Sequence, residues 1–237
     1  MDRAARALVE FASEQLARLG DPAKAGPMAA YMKTRQPFYG VQKPQRTLVA
    51  RELRRRFPPG DQAGYGRNVL ALWSLPHREE QYLALDYATG FRPFLAPPSL
   101  PLYERLIREG GWWDLVDTVA GKLVSPTLLR YRTETDPTIE RWIRDDEMWI
   151  RRAALLSQLG HKRETDEPKL FERCLLLADE RPFFIRKAIG WALRDYSAAR
   201  PEAVREFLIR SGSSLSPLSY REAARRLDRL KMAPPRP

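Results

Sequence analysis

Cysteine and histidine are scarce in this sequence of 237 residues, and their scarcity excludes several kinds of site. Cys174 is the only cysteine, so an intrachain disulfide, a zinc site built from cysteines and an iron–sulfur cluster are excluded. His77 and His161 are the only histidines, and neither lies in a recognisable catalytic or metal-binding motif. We interpret Cys174 and His161 as structural residues and expect no metal and no cofactor.

Long apolar runs are also missing. No stretch approaches the roughly 18 apolar residues that a membrane-spanning helix needs, and the first residues lack the apolar core of a signal peptide. The sequence therefore predicts a soluble protein of a reducing compartment, the cytoplasm, without a membrane partner.

Acidic residues are outnumbered by basic ones. The chain has 41 Lys and Arg against 30 Asp and Glu, which gives a net charge of +11 and a pI near 10.0. This balance favours a polyanionic partner, because Lys and Arg side chains gain affinity by releasing the counterions of phosphates. The basic segment 44–57 fits a phosphate contact or, as charged helices more often do, a solvated face.

Strand patterns are absent, and apolar residues recur at helical spacing. This spacing predicts helices over residues 2–18, 65–75 and 78–89. Residues 91–101 hold four prolines and form a predicted loop. Because helical pairs of similar length continue on both sides, we interpret residues 1–237 as a single HEAT-like repeat domain, with residues 232–237 as a disordered tail.

A repeat of 35 residues determines the predicted fold. Residues 149–154, 184–189 and 219–224 align at this offset, with arginine and alanine recurring at matching positions. A period of about 20–50 residues with two helices per unit is typical of an α-solenoid, in which each repeat buries its apolar face against its neighbours. The predicted fold class is therefore all-α, an α-α superhelix of HEAT-like helical repeats with a concave binding face.

The same offset relates three charged residues. Asp117, Arg152 and Lys187 are spaced 35 residues apart, so they occupy one equivalent position in three successive repeats. In a solenoid such positions line one surface, which places a carboxylate beside two cations. A groove that bound only phosphates should have no anion at its middle. Asp117 therefore predicts that a positive charge is present there at some stage.

Two predicted helices combine tryptophan with charge. Residues three or four apart share a helix face, so Trp113 projects with Asp117, and Trp191 projects with Lys187 and Arg194. Burying an indole beside an unpaired charge is costly, which makes both faces candidates for ligand binding. An aromatic stripe is more often core, and we assign three other tryptophans to the core: Trp112, Trp142 and Trp149.

Some of these charges also fit purely structural roles. Asp114 fits a helix cap or an ion pair, and Asp117 considered alone fits a solvated helix position. Arg194 fits a phosphate contact, with an ion pair to Asp195 or Glu180 as the alternative.

Five motifs in one register, from about residue 20 to residue 228, resemble the AlkD family of bacterial DNA alkylpurine glycosylases. They are PMAAYMK at 27–33, FYGV at 38–41, WWDLVD at 112–117, WIRRAA at 149–154 and KAIGWALR at 187–194. The resemblance implies a HEAT-like solenoid that holds duplex DNA on its concave face and cleaves the glycosidic bond of N3- and N7-alkylated purines. Arg151, where the family pattern has a polar residue, and the tail 234–237 are departures.

The resemblance also implies site residues. The family's catalytic aspartate falls on Asp117, and its paired tryptophans fall on Trp113 and Trp191. Its DNA-contacting arginine falls on Arg152 and its active-site tyrosine on Tyr31. The cations Lys187 and Arg194 join Tyr31 and Arg152 in the predicted DNA-binding set. Some relatives lack the aspartate or a tryptophan and bind DNA without excising bases.

The chemistry of such a substrate fits these residue types. An N3- or N7-alkylated purine is cationic and leaves as a neutral base, so no strong general acid is needed in a histidine-poor chain. A carboxylate stabilises the oxocarbenium-like sugar of the transition state, and indole faces attract cations by about 0.5–2 kcal/mol each. We therefore predict a monomeric glycosylase of base excision repair, acting at the nucleoid on duplex DNA that contains 3-methyladenine or 7-methylguanine.

Two other functions remain open from the sequence. A non-catalytic HEAT-repeat binder of distorted or branched DNA would need the basic groove but not Asp117. A protein-interaction scaffold would have no use for the pairing of Trp113 with Asp117, and a net charge of +11 is unfavourable for it.

Overall fold

The computed structural model describes residues 3–235, and within this range every regular element is a helix and no strand occurs. The all-α fold predicted from the sequence is confirmed. Asp2 of the first predicted helix and residues 236–237 of the predicted tail lie outside the described residues. No helix in the described part of the chain is long and apolar enough to cross a membrane.

The chain packs as two compact units, Met1–Leu102 and Tyr103–Pro237. The boundary follows directly after the proline-rich residues 91–101, which contain two short 3-10 turns and the start of a helix. The interpretation of residues 1–237 as a single domain stays a prediction.

The first unit is built around a long amphipathic helix. The helices are α1 (Arg3–Leu19), α2 (Pro22–Met32), α3 (Lys43–Arg56), α4 (Gln62–Trp73) and α5 (Arg78–Ala88). α1 packs against α3, α4 and α5, and α3 and α4 both contact α5. Leucines from α1, α3, α4 and α5 are fully buried at the centre of this group.

The second unit contains the aligned repeat segments. The helices are α6 (Leu100–Gly110), which spans the boundary at Leu102, and then α7 (Trp113–Val119), α8 (Ser125–Arg130), α9 (Arg132–Trp142), α10 (Met148–Leu155), α11 (Glu167–Leu176), α12 (Phe183–Tyr196), α13 (Pro201–Ser211) and α14 (Pro217–Arg229). Residues 149–154, 184–189 and 219–224 lie within α10, α12 and α14. α7, α10, α12 and α14 each pack against the next.

A glycine allows α12 and α14 to approach closely. A Cβ atom added at Gly190 would lie 2.4 Å from the Cβ of Glu222 and 2.7 Å from the carbonyl oxygen of Ser219. Real Cβ atoms do not tolerate such distances, so any larger residue would force the two helices apart. The glycine before Trp191 therefore sets the spacing of the last repeat.

The segment after α14 contacts that helix. Pro234 is buried, and the hydroxyl of Tyr220 lies 3.0 Å from the carbonyl oxygens of Pro234 and Pro235. Part of the segment predicted to be a disordered tail is therefore held against the second unit.

Candidate active site

α7 carries Asp117 shortly before an irregular turn. A π-helical turn spans Ala120–Val124, where the N–H of Ser125 donates to the carbonyl of Ala120, five residues earlier. Pro126 follows and has no N–H with which to continue the regular ladder. Turns of this kind are frequent at functional sites. The regular α-helical hydrogen bonding therefore stops within one turn of Asp117.

Asp117 and Arg152 form a bidentate ion pair. The Nε of Arg152 donates to Oδ1 of Asp117 at 2.7 Å, and Nη2 donates to Oδ2 at 2.9 Å. The remaining terminal nitrogen, Nη1, donates to the carbonyl oxygen of Phe184. The Arg152 side chain is 4% exposed and the Asp117 side chain 15% exposed. The pair therefore holds the carboxylate in one orientation and presents it, rather than the guanidinium, to solvent.

The groups around Asp117 shift its pKa in opposite directions. Burial raises the pKa of Asp117 above its ordinary value, the hydrogen bonds and charge of Arg152 lower it, and the neighbouring Asp114 raises it again, with a net increase. A carboxylate in such a poorly hydrated position interacts strongly with any charge brought near it. Arg152 is itself buried and is engaged by Asp117 and by the carbonyl of Phe184, and its contact with a DNA phosphate stays a prediction.

Lys187 and Glu222, which are also 35 residues apart, form a second ion pair. In this pair the cation is the more exposed partner and the carboxylate is buried. The Nζ of Lys187 lies 2.7 Å from Oε1 of Glu222, Arg194 donates to Oε2, and Arg225 approaches to 3.4 Å. The Glu222 side chain is 7% exposed, whereas Lys187 is 36% exposed. Burial alone would raise the pKa of Glu222, but the hydrogen bonds from Lys187 and Arg194 lower it to about 2. This cluster presents cations to solvent.

The partner of Arg194 corrects one sequence-based alternative. An ion pair was expected with Asp195 or Glu180, and Arg194 instead pairs with Glu222. Asp195 accepts the N–H of Gly160 at 2.8 Å. Glu180 is occupied by a bidentate pair from Arg151, at 2.7 and 2.9 Å. Both expected partners are engaged by other groups, and the pair that forms joins two repeats.

The tryptophans differ in burial. Trp113 and Trp191 are half-buried, so each keeps part of its indole accessible. Trp142 is fully buried, as predicted, and its Nε1 donates to Glu104 at 2.9 Å. The core assignment is wrong for Trp112 and Trp149, which are half-buried.

Trp112 and Trp149 belong to an aromatic cluster with Phe184. The ring centroids of Trp112 and Trp149 lie 5.3 and 4.9 Å from that of Phe184, and the guanidinium carbon of Arg152 lies 5.7 Å from the same ring. The cluster therefore packs beside the cation that holds Asp117.

Tyr31 belongs to the first unit and is 71% exposed near the end of α2. The FYGV motif follows in a loop that a buried carboxylate holds in place. Glu79 accepts the backbone N–H groups of Tyr39, Gly40 and Val41 at 3.1, 2.8 and 3.0 Å. Gly40 has φ +87° and contacts backbone so closely that a Cβ has no room. Gly40 is thus required for the loop conformation, independently of any ligand.

Cys174 and His161 lie in structural surroundings. Burial raises the pKa of the Cys174 thiol to about 12, so the thiol stays protonated. Burial lowers the pKa of His161, whose Nε2 lies 2.9 Å from the carbonyl oxygen of Ser125 and therefore carries the hydrogen. The described residues include no group of three or more His, Cys, Asp or Glu that could hold a metal ion.

A family model described as DNA alkylation repair enzyme matches residues 12–227 of the chain. The chain belongs to this family. A solved structure of a predicted DNA alkylation repair enzyme from Enterococcus faecalis is 29% identical and superimposes with a TM-score of 0.81, over 88% of this chain and 96% of that chain. No curated protein matches the chain. Family membership gives the protein a role in DNA alkylation repair, with DNA as its partner.

Two residues of this DNA alkylation repair protein were missed by sequence reasoning. Glu222 lies 35 positions after Lys187, so extending the offset by one more repeat would have identified it. Phe184 aligns with Trp149 at the same offset, which marks an aromatic position shared by two repeats. In both cases the periodic signal was present, whereas the contact with a neighbouring charge was visible only in the structure.

Proposed function

We propose that the protein is a DNA glycosylase that hydrolyses the N-glycosidic bond of cationic N3- and N7-alkylated purines in duplex DNA. The observation that carries this proposal is Asp117, a partly exposed carboxylate held by the buried fork of Arg152. A plain phosphate-binding surface gains nothing from an oriented anion, whereas a reaction that generates a cation does.

The leaving group needs little assistance. In N7-methylguanine within DNA, the base already carries a positive charge. When the bond from C1′ to N9 breaks, its electron pair moves onto the base, which departs neutral. No general acid is required, in keeping with a chain that has two histidines, of which His161 is buried.

Asp117 stabilises the sugar cation and directs water. As the glycosidic bond lengthens, positive charge develops on C1′ and the ring oxygen of the sugar, and an oriented carboxylate lowers the energy of that state. Water then forms a bond to C1′ and passes a proton to Asp117 or to solvent. The hydrogen bonds from Arg152 keep both carboxylate oxygens in place throughout.

The two half-buried indoles favour the cationic lesion. The faces of Trp113 and Trp191 attract positive charge on the base and on the sugar. Lys187, Arg194 and the exposed Tyr31 contribute contacts to the DNA strands. Selectivity for alkylated purines then arises from charge, without a pocket shaped to one base.

The deciding experiment measures single-turnover release of 7-methylguanine from methylated duplex DNA at saturating enzyme. Wild type should release the base, and Asp117→Asn should be slower by about 100- to 1,000-fold, the usual effect of losing a charge-stabilising group. Asn keeps the shape of the side chain, and saturation removes differences in binding. No release by wild type, together with salt-dependent DNA binding, would instead identify a non-catalytic DNA binder.

A further inference from the structure

Residues 159–161, between α10 and α11, contact two segments that belong to the proposed site, and we call these three residues the bridge. The first and the last of them hydrogen-bond to the end of the π-helical turn that follows Asp117. The middle one hydrogen-bonds to α12, the helix that carries Trp191. One short segment therefore links the turn next to the carboxylate to the helix of the indole.

The contact of the bridge with the π-helical turn consists of two hydrogen bonds at one residue. The hydroxyl of Ser125 donates to the carbonyl oxygen of Leu159 at 2.7 Å, and Nε2 of His161 donates to the carbonyl oxygen of Ser125 at 2.9 Å. Ser125 is also the residue whose N–H closes the turn on Ala120. Both Ser125 and His161 are buried, so water does not readily replace these bonds when they are lost.

The bridge also packs against the helix of Asp117. A Cβ atom added at Gly121 would lie 3.8 Å from Cδ1 of Leu159, so the leucine side chain is in van der Waals contact with this position. Gly121 is four residues after Asp117, which is about one helical turn. The bridge therefore packs within one turn of the carboxylate that we propose to stabilise the sugar cation.

The contact of the bridge with α12 depends on a glycine. The N–H of Gly160 donates to Oδ2 of Asp195 at 2.8 Å. Asp195 lies four residues after Trp191, and side chains at this spacing share a helix face. Gly160 has φ +80°, which other residues rarely adopt, although a Cβ atom there would meet nothing within 4 Å. The backbone conformation, and not a lack of space, therefore requires glycine at this position.

His161 has the properties of a fixed, neutral donor. Its Nδ1 is buried and has no hydrogen-bond partner among the residues that the structure describes. Arg132, Glu164 and Asp195 are the charged groups that act on the ring, and burial, the largest influence, lowers the pKa of His161. The ring therefore stays uncharged near neutral pH, with its one hydrogen on Nε2 for the carbonyl of Ser125.

We propose that the bridge holds Asp117 in place relative to Trp191, and that His161 is a positioning residue of the reaction. His161 fixes Ser125, and with it the turn after Asp117, while Gly160 fixes the bridge to α12. Precise positioning matters because a displacement of about 1 Å can cost on the order of 100-fold in rate. The inference rests on the proposed glycosylase function, since it concerns the rate of that reaction.

The test measures single-turnover release of 7-methylguanine at saturating enzyme, together with the affinity for the same duplex. His161→Leu keeps an apolar side chain in the buried site and removes the donor to Ser125. It should slow excision by about tenfold or more, with DNA affinity unchanged. His161→Gln supplies an amide donor at a similar reach and should restore most of the rate.

A second variant tests the other end of the bridge. Gly160→Ala strains the backbone at an exposed position, so the protein should still fold, and it should slow excision by about tenfold through the weakened contact with Asp195. Tyr196→Phe is the matched control. It removes a hydrogen bond of 2.7 Å between α12 and Glu167 of α11 without touching the bridge, and it should keep the wild-type rate.

Three outcomes would overturn the proposal. Wild-type rates in both His161→Leu and Gly160→Ala would show that the bridge does not affect the reaction. A loss in Tyr196→Phe as large as that in His161→Leu would mean that any loosening of the second unit slows excision. A rate for His161→Gln as low as that for His161→Leu would show that the hydrogen bond to Ser125 is not responsible.

Failure of the bridge and failure of the glycosylase are distinguishable, because hydrogen exchange of the Ser125 amide needs no excision. His161→Leu should speed this exchange, since the amide closes the π-helical turn. Faster exchange in a protein that releases no 7-methylguanine would retain the bridge as the element that holds the turn and reject the glycosylase. Excision by wild type, with unchanged exchange and rate in His161→Leu, would retain the glycosylase and reject the bridge.

Discussion

The Asp117–Arg152 pair and the Lys187–Glu222 pair occupy equivalent positions in the repeat and expose opposite charges. In the first pair the cation is buried and the carboxylate reaches solvent. In the second the carboxylate is buried and its cations reach solvent. The same spacing of 35 residues thus supplies an anionic site in one repeat and a cationic site two repeats later.

The neighbours of each pair account for the difference. Arg152 is covered by the aromatic cluster and donates to the carbonyl of Phe184, so it has a second partner inside the protein. Glu222 is buried because α14 lies tightly against α12 at Gly190, and it shares three cations. Burial of one partner therefore decides which charge of an ion pair faces solvent. In these repeats, burial matters as much as the two charges do.

The largest contrast between the two pairs should appear in catalysis. Asp117→Asn should lose about two to three orders of magnitude in single-turnover excision, as expected for a charge-stabilising group, and keep or increase its DNA affinity. Glu222→Gln should keep the excision rate within about tenfold and bind DNA more tightly, because it frees cations for phosphates. Comparable rates for the two variants would show that the two sites do not have separate roles.

Stability should also separate the pairs. Arg152→Ala leaves a largely buried carboxylate without its partner and should cost about 3 kcal/mol, toward the low end for a broken buried pair because Asp117 keeps some exposure. Glu222→Gln should cost about 1–2 kcal/mol, since its cations can be rehydrated. Urea denaturation followed by circular dichroism measures both. A smaller cost for Arg152→Ala than for Glu222→Gln would contradict the burial argument.

Substitution of Gly190 tests the packing that buries Glu222. Gly190→Ala should destabilise the protein by about 1–3 kcal/mol through overpacking and should weaken DNA binding by disturbing the arginines of α14. Gly66 of α4 is the matched control, since a Cβ there meets nothing within 4 Å. Gly66→Ala should be neutral or stabilise by up to about 1 kcal/mol. Thermal melting of the two variants measures the difference, and equal melting temperatures would refute the close approach.

The smallest expected effect is on acid titration. The pKa of Asp117 should lie above its ordinary value of 3.8, and that of Glu222 near 2. Because folding lowers the pKa of Glu222, its contribution to stability is present above pH 4.5 and is lost as the pH falls toward about 2. Carboxyl NMR titration reads both midpoints, and Glu222→Gln should flatten the loss of stability in this range. A lower midpoint for Asp117 than for Glu222 would contradict the difference between the two pairs.

The sequence alone determined the helical fold, the repeat period and the candidate residues. Helical spacing is a local signal, and a constant offset brings residues 35 positions apart into contact, as Asp117 with Arg152 and Lys187 with Glu222 show. The family motifs were likewise readable as short strings. These features could be predicted because each depends on neighbouring residues or on one regular translation along the chain.

Only the tertiary structure decided which charge of each pair is exposed and why Trp112 and Trp149 lie beside Arg152 outside the core. Each of these depends on contacts between helices from different segments. Burial of Arg152 requires the rings of α10 and α12, and burial of Glu222 requires the close approach of α12 and α14 at Gly190. Accessibility is set by all the neighbours of a side chain together, and a periodic sequence pattern does not encode it.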